Sequence, residues 1–174
     1  MSLDPSLSLN PFEFKKVTMF ASAEDSDFYL NAFQAMVPWQ KFALAPNSRL
    51  VYRWGESPLP ELDGVIERLI SKLSALENLT VRGIFLNLYK NGQDHCPFHR
   101  DQYGTDVYTL SLGSTRDFLL KPDDVTQKTQ TIKLYSGDLY YMAKEIHSKY
   151  RHSIPKRAGV SEPRISIVFF TNKF

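Results

Sequence analysis

The chain has 174 residues, enough for one domain and short of two, and a chain of that size buries roughly 70% of its unfolded surface without needing disulfides or a structural metal. Hydrophobic residues make up 43% and charged residues 23%, which excludes a disordered chain, and 21 Lys and Arg against 19 Asp and Glu leave a net charge of +2, so a basic surface depends on where the charges sit. The single cysteine, Cys96, excludes an internal disulfide framework and suits a reducing compartment; no apolar run approaches the roughly 20 residues of a membrane span, and the start lacks a basic-then-apolar leader. The expectation is an intracellular protein, cytoplasmic or nuclear, with no membrane association.

Residues 1–11 are rich in Ser, Pro and Leu without periodicity and read as a lead-in. Phe12 to Phe20 alternates as a strand does. Ala23 to Met36 is predicted helical: Glu24, Asp25 and Asp27 stand near its start, Phe28, Ala32, Phe33 and Met36 recur at near-helical spacing, and Ser22 is the N-cap. Proline and glycine punctuate the stretch from Pro46 to Pro60, which holds the compact run Arg49-Leu-Val-Tyr52-Arg53-Trp54-Gly55. Leu62 to Leu76 is the clearest helix, with Leu62, Val65, Ile66, Leu69, Ile70, Leu73 and Leu76 on one stripe.

From Val81 onward short strand-like runs dominate, at 81–89, 107–112, 117–121, 129–135, 138–142 and 164–171. Asn91-Gly92, Lys121-Pro122-Asp123-Asp124 and Ser136-Gly137-Asp138 supply turns between them. Helices followed by many short strands predict an α+β fold whose second half is a jelly roll or barrel. The chain reads as one domain over 1–174, with an N-terminal extension at about 12–80 and the core at about 81–174.

The four histidines are His95, His99, His147 and His152. In an extended segment residues i and i+2 face the same side, so His99 and Asp101 of His99-Arg100-Asp101 can both face one ion. A distant histidine would complete a two-histidine, one-carboxylate facial triad, which leaves coordination positions open as Fe(II) oxygenases require. His152, in Tyr150-Arg-His152-Ser-Ile-Pro155, is the better third ligand; His147, in a polar connection, competes with it. A zinc site from His95, Cys96 and His99 is a weaker alternative, because its ligands crowd one short loop with nothing to close a tetrahedron.

Several blocks around these residues resemble the AlkB family of iron- and 2-oxoglutarate-dependent dioxygenases. They are Asn87-Leu-Tyr89-Lys-Asn-Gly92, Asp94-His-Cys-Pro-Phe-His99-Arg-Asp101, Leu110-Ser-Leu-Gly-Ser-Thr-Arg116-Asp-Phe118, Ser136-Gly-Asp-Leu-Tyr-Tyr-Met142, Tyr150-Arg-His152-Ser-Ile-Pro155 and Arg164-Ile-Ser-Ile-Val-Phe169. They stand in family order within a match from about Arg49 to Phe169. The resemblance implies a double-stranded β-helix core with N-terminal helices packed on one sheet and a substrate lid. It implies that His99, Asp101 and His152 bind Fe(II), and that Asn87, Tyr89 and Arg164, with Ser166, line the seat of 2-oxoglutarate, which reacts with O2. A guanidinium fork matches a carboxylate bidentately, and a phenol adds a hydrogen bond.

The chain departs from the family in one place. The usual second arginine, six residues after the first, is Phe170, and the intervening asparagine is Ser166. A carboxylate buried with too few partners is costly; Arg116 and Lys173 are the cations in sequence that are candidates to compensate.

Two features point to a nucleic-acid partner. Arg49, Tyr52 and Trp54 interleave cations with rings, a pattern in which rings stack on bases and arginines neutralise phosphates, and in the family this region belongs to the nucleotide lid. The alternation of Leu50, Tyr52 and Trp54 also fits one packed face of a strand. Lys144, Lys149, Arg151, Lys156 and Arg157, against Glu145 alone, flank His152, and Arg151 is the candidate phosphate contact. The expected activity is oxidative dealkylation of N-alkylated bases in DNA or RNA, with release of an aldehyde, succinate and CO2. An oxygenase acting on a protein side chain or small molecule, and a catalytically weakened nucleic-acid reader, are the alternatives. A monomer without an obligate protein partner is expected.

Overall fold

The computed structural model describes residues 14–46, 48–101 and 104–173. In chain order the elements are β1 (Phe14–Val17), α1 (Ala23–Met36), β2 (Gln40–Lys41), β3 (Leu50–Arg53), α2 (Pro60–Leu76), β4 (Leu79–Tyr89), β5 (Cys96–His99), β6 (Asp106–Gly113), β7 (Arg116–Pro122), β8 (Gln130–Leu134), β9 (Leu139–Met142), α3 (Ile146–Lys149), β10 (Tyr150–Ile154) and β11 (Arg164–Lys173). Of the strand expected from Phe12 to Phe20, Phe14 to Val17 is a strand and the first two residues lie outside the described set.

The two long helices begin where local chemistry says they should. Ser22 Oγ accepts a hydrogen bond from the Asp25 amide at 3.0 Å, which caps α1, and Glu24 and Asp25 sit where the helix dipole favours anions. Pro60 opens α2, where its missing N–H costs nothing. Leu62, Val65, Ile66, Leu69 and Leu73 of α2 are buried, as the stripe predicts. No helix among the described residues is long and apolar enough to cross a membrane.

The strands form a seven-stranded sheet in the order β1-β9-β6-β11-β4-β3-β2 and a four-stranded sheet in the order β5-β10-β7-β8. Alternation along the central strands divides the core. Leu86 and Leu88 of β4 and Ile165, Ile167 and Phe169 of β11 join the helices in one cluster. Residues of opposite parity turn toward the smaller sheet, where Phe14, Val107, Tyr140 and Met142 meet Phe118, Leu120, Ile132, Leu134 and Ile154. The result is the expected jelly-roll core with the N-terminal helices on one sheet. The register Arg164↔Tyr89 and Ser166↔Asn87 places four polar side chains on the inward face of the larger sheet.

Four elements escape the sequence patterns: the two-residue β2, β5, β10 and the short helix α3. β5 and β10 are four and five residues long, and each has a histidine where an apolar residue would have marked its buried face.

Candidate metal centre and co-substrate pocket

β5 and β10 are antiparallel neighbours in the smaller sheet, and His99 pairs directly with His152. Cross-strand partners share a face, so the two imidazoles meet, with ring centroids 4.2 Å apart. Asp101 follows β5 by two residues. Its Oδ1 lies 3.6 Å from His99 Nε2 and its Oδ2 lies 3.7 Å from His152 Nε2. The ligand atoms of the three residues lie within 4.8 Å of one another, and among the described residues this is the group of ligand-type side chains close enough to share one ion. Phe118 stacks on the His152 ring at 5.2 Å and fixes its plane.

The charges of this group follow from its packing. Burial works against protonated His99, but the hydrogen-bonded Asp101 carboxylate and the Cys96 sulfur outweigh it and raise its pKa to about 10. Burial favours the neutral acid at Asp101, yet His99 and the charges of the other two histidines lower its pKa to about 2. His152 is lowered to about 3 by burial, against Asp101 and with help from the nearby cations. An anionic carboxylate and a neutral imidazole are thus already in ligand form.

His147 approaches without joining the group. Its Nδ1 is 3.9 Å from Asp101 Oδ2, its ring is 5.9 Å from that of His152, and neither ring nitrogen makes a hydrogen bond. The zinc alternative fails on geometry. Cys96 Sγ touches His99 Nδ1 at 3.4 Å, but His95 is not part of the group.

A cavity of about 730 Å³ opens beside the triad and includes Asn87, Tyr89, Arg164 and Ser166 in its wall. Arg164 is 1% exposed; its Nε donates to Ser111 Oγ at 3.0 Å, and its guanidinium carbon lies 5.2 Å from the Tyr89 ring centre. Its Nη1 is buried with no partner, and no carboxylate pairs with it among the described residues. Burial, with a smaller contribution from Cys96 and against three nearby arginines, pushes the Tyr89 phenol up to about 12, so it remains a hydrogen-bond donor. Asn87 Nδ2 donates to Ser166 Oγ at 3.1 Å. A wall with an unpaired buried cation and converging neutral donors is suited to an anion.

Arg116 has a different task from the one the sequence suggests. Its Nη1 donates to Asn91 O at 3.2 Å, and its Nη2 donates to Asp94 O at 2.8 Å and Pro155 O at 2.6 Å. The guanidinium ties the segment entering β5 to the residue leaving β10, so it holds the two metal-site strands together rather than replacing a co-substrate contact. Phe170 lines the cavity, and the side chain of Lys173 lies outside the described residues.

The expected base contacts are placed elsewhere. Tyr52 is 1% exposed and packs in the helix-side core, its hydroxyl bonded to the backbone of Ser57. Trp54 packs against the same core and meets Phe33 edge-on at 6.3 Å. Strand parity explains the correction: Leu50, Tyr52 and Trp54 turn to the helices, and residues of the other parity turn to the cavity. Arg49, expected at a phosphate, is buried and donates from Nε to Asn87 Oδ1 at 2.7 Å. Arg151 is on the outer surface of β10, with Nε 3.9 Å from Asp123 Oδ1. Part of the basic run is also paired, since Arg157 and Lys133 share Asp117.

Residues 21–169 match the family model described as the 2OG-Fe(II) oxygenase superfamily. The chain belongs to this superfamily. The family description names Fe(II) and 2-oxoglutarate, and the group His99, Asp101 and His152 is of the ligand type that suits Fe(II). The relatives it matches are AlkB proteins, as the motifs imply. The chain is 30% identical over 125 residues to DNA oxidative demethylase ALKBH2 of Bos taurus, a match covering 65% of this chain and 45% of the bovine protein. It is 24% identical over 197 residues to alpha-ketoglutarate-dependent dioxygenase alkB homolog 3 of Homo sapiens, covering 95% of this chain and 69% of the human protein. The chain spans about half the length of the ALKBH2 relatives it matches. The structure of OsALKBH1 superposes with a TM-score of 0.70 at 14% identity, over 94% of this chain and 100% of that one, which shows a common fold.

Proposed function

We propose that the chain oxidatively dealkylates N-alkylated bases in DNA or RNA. The observation that carries this reading is the juxtaposition of His99, Asp101 and His152 with an anion-ready cavity in a superfamily of known reagents. The relatives named as DNA oxidative demethylases support the substrate class. Two imidazoles and one carboxylate suit Fe(II), because three protein ligands leave room for a chelating co-substrate and dioxygen.

In this reading His99, Asp101 and His152 hold the metal, and Arg164 takes a carboxylate of 2-oxoglutarate through its unpartnered Nη1. Tyr89, kept protonated, donates to the same anion, while Asn87 and Ser166 complete the polar wall. Phe118, Met142, Val168 and Phe170 give the cavity an apolar lining that limits access of water. When bound, the metal and co-substrate supply the oxidation: 2-oxoglutarate and O2 become succinate and CO2, and one oxygen atom is placed on the N-alkyl carbon. The resulting carbinolamine loses its aldehyde and frees the base nitrogen. A base in a duplex must first be flipped out, whereas a single strand avoids most of that cost. Arg151 is the candidate phosphate contact on the outer surface.

The test is to load the protein with Fe(II) and 2-oxoglutarate, add oligonucleotides carrying N-methylated bases, and follow formaldehyde and succinate. Both should form in equal amounts, and neither should form with Asp101→Asn. Folded, iron-loaded protein that makes neither product from any methylated oligonucleotide would overturn the reading. A second reading keeps the oxidation and changes the substrate to a protein side chain or small molecule. It is favoured by the burial of Tyr52 and the packing of half-buried Trp54 against the helix-side core, which remove the expected stacking platform. Succinate formation that ignores nucleic acid and responds to such a substrate would select it.

A further inference from the structure

The further inference concerns Arg49 and rests on the 2-oxoglutarate pocket proposed above. Arg49 immediately precedes β3, where Leu50 pairs with Leu88 and Val51 pairs with Asn87. Parity places Arg49 on the same face as Val51, Asn87 and Ser166, which is the face turned to the cavity. The residue is 7% exposed. Its Nε is fixed by Asn87 Oδ1 at 2.7 Å, its guanidinium carbon lies 4.6 Å from the Phe42 ring centre, and its Nη1 makes a long contact of 3.4 Å to Ser48 Oγ. No carboxylate pairs with Arg49 or Arg164 among the described residues.

Two buried guanidinium groups in one cavity, neither neutralised by the protein, are expensive to desolvate unless a ligand brings the opposite charge. A single carboxylate answers one of them, and a dicarboxylate answers both. The side chain that follows Arg164 by six residues on β11 is the uncharged Phe170, so β11 supplies only one of the two cations. We propose that Arg49 is the second guanidinium of the co-substrate pocket, binding a carboxylate of 2-oxoglutarate while Asn87 and Ser166 hold its orientation. It is therefore a binding residue for the dicarboxylate and not a phosphate contact for a nucleic acid.

The experiment compares wild type with Arg49→Gln and Arg49→Lys, each as the full chain loaded with Mn(II) as an inert metal. Titration calorimetry reads 2-oxoglutarate affinity, and anisotropy reads binding of a single-stranded oligonucleotide across a salt series. Loss of a charge-assisted contact should weaken 2-oxoglutarate binding about tenfold or more in Arg49→Gln. Arg49→Lys, which keeps the charge but lacks the fork, should recover part of that loss. Oligonucleotide affinity and its salt slope should not change. Melting of the metal-free variants shows whether they fold, and Arg49→Lys carries the comparison if Arg49→Gln does not. Unchanged 2-oxoglutarate affinity in folded variants would overturn the assignment, as would a salt slope that falls by about one, the mark of a lost phosphate contact. If wild type itself fails to bind 2-oxoglutarate, the proposed function falls and this assignment with it; if only the variants behave like wild type, this assignment alone falls.

Discussion

His99 and His152 are the same residue type, side by side across one pair of strands, yet they hold protons differently. At neutral pH His99, near 10, carries its proton, while His152, near 3, does not. A metal ion needs both imidazoles neutral. Uptake of Mn(II) or Fe(II) should therefore release close to one proton, from His99, and the apparent affinity should fall about tenfold for each unit of pH lowered below that range. Calorimetry in buffers of different ionisation enthalpy measures the number; release of none or two would contradict the assigned charges. The same raised pKa stabilises the metal-free fold fully below 6.5, and the benefit is lost as pH rises toward about 10. Depressed Asp101 contributes above 3.8 and loses its contribution as pH falls toward about 2. At this scale the triad was legible, because a His-x-Asp on extended backbone commits two side chains to one side. Arg49 and Tyr52 were not, since a basic and aromatic run gives the alternation but not which parity meets the helices.

Elements carry the site through two ties that no ligand makes. Arg116 spans from Asn91 and Asp94 to Pro155, and Gly92 exchanges backbone bonds with the loop after β10, accepting from Arg157 N at 2.7 Å and donating to Val160 O at 2.8 Å. A Cβ on Gly92 would fall 1.9 Å from Arg157 O, an overlap that backbone can relieve only by moving. Gly92→Ala should therefore weaken metal binding while leaving the helix layer intact, which metal titration and far-UV circular dichroism together would show. Arg116→Met strands several buried carbonyls and should cost about 2–4 kcal/mol of stability in urea unfolding. The longer elements were legible: α1 with its serine cap, α2 with its stripe, β4 and β11 with their runs. β5 and β10 were hidden, because Pro97, His99, Arg151 and His152 are not residues that announce a strand.

In the whole molecule the larger sheet divides two interiors of opposite character. One is apolar and covered by helices; the other holds the polar groups and the cavity. Changes in the first should alter stability without altering ligand affinity. Leu73→Ala in α2, at a fully buried position, should cost about 2–5 kcal/mol and leave 2-oxoglutarate binding as in wild type; a parallel loss of affinity would show that the two interiors are coupled. The jelly roll was foreseeable from helices followed by short strands. The order of strands within each sheet was not, because pairs such as β1 with β9 join residues far apart in the chain.

The backbone clasp made by Arg116 has a final consequence. Its bonds are internal to the chain and owe nothing to an ion, so the jaws proposed for iron should stay set without it. Chelation should silence such a protein without unravelling it, and a fresh supply of metal should restore it without a refolding step.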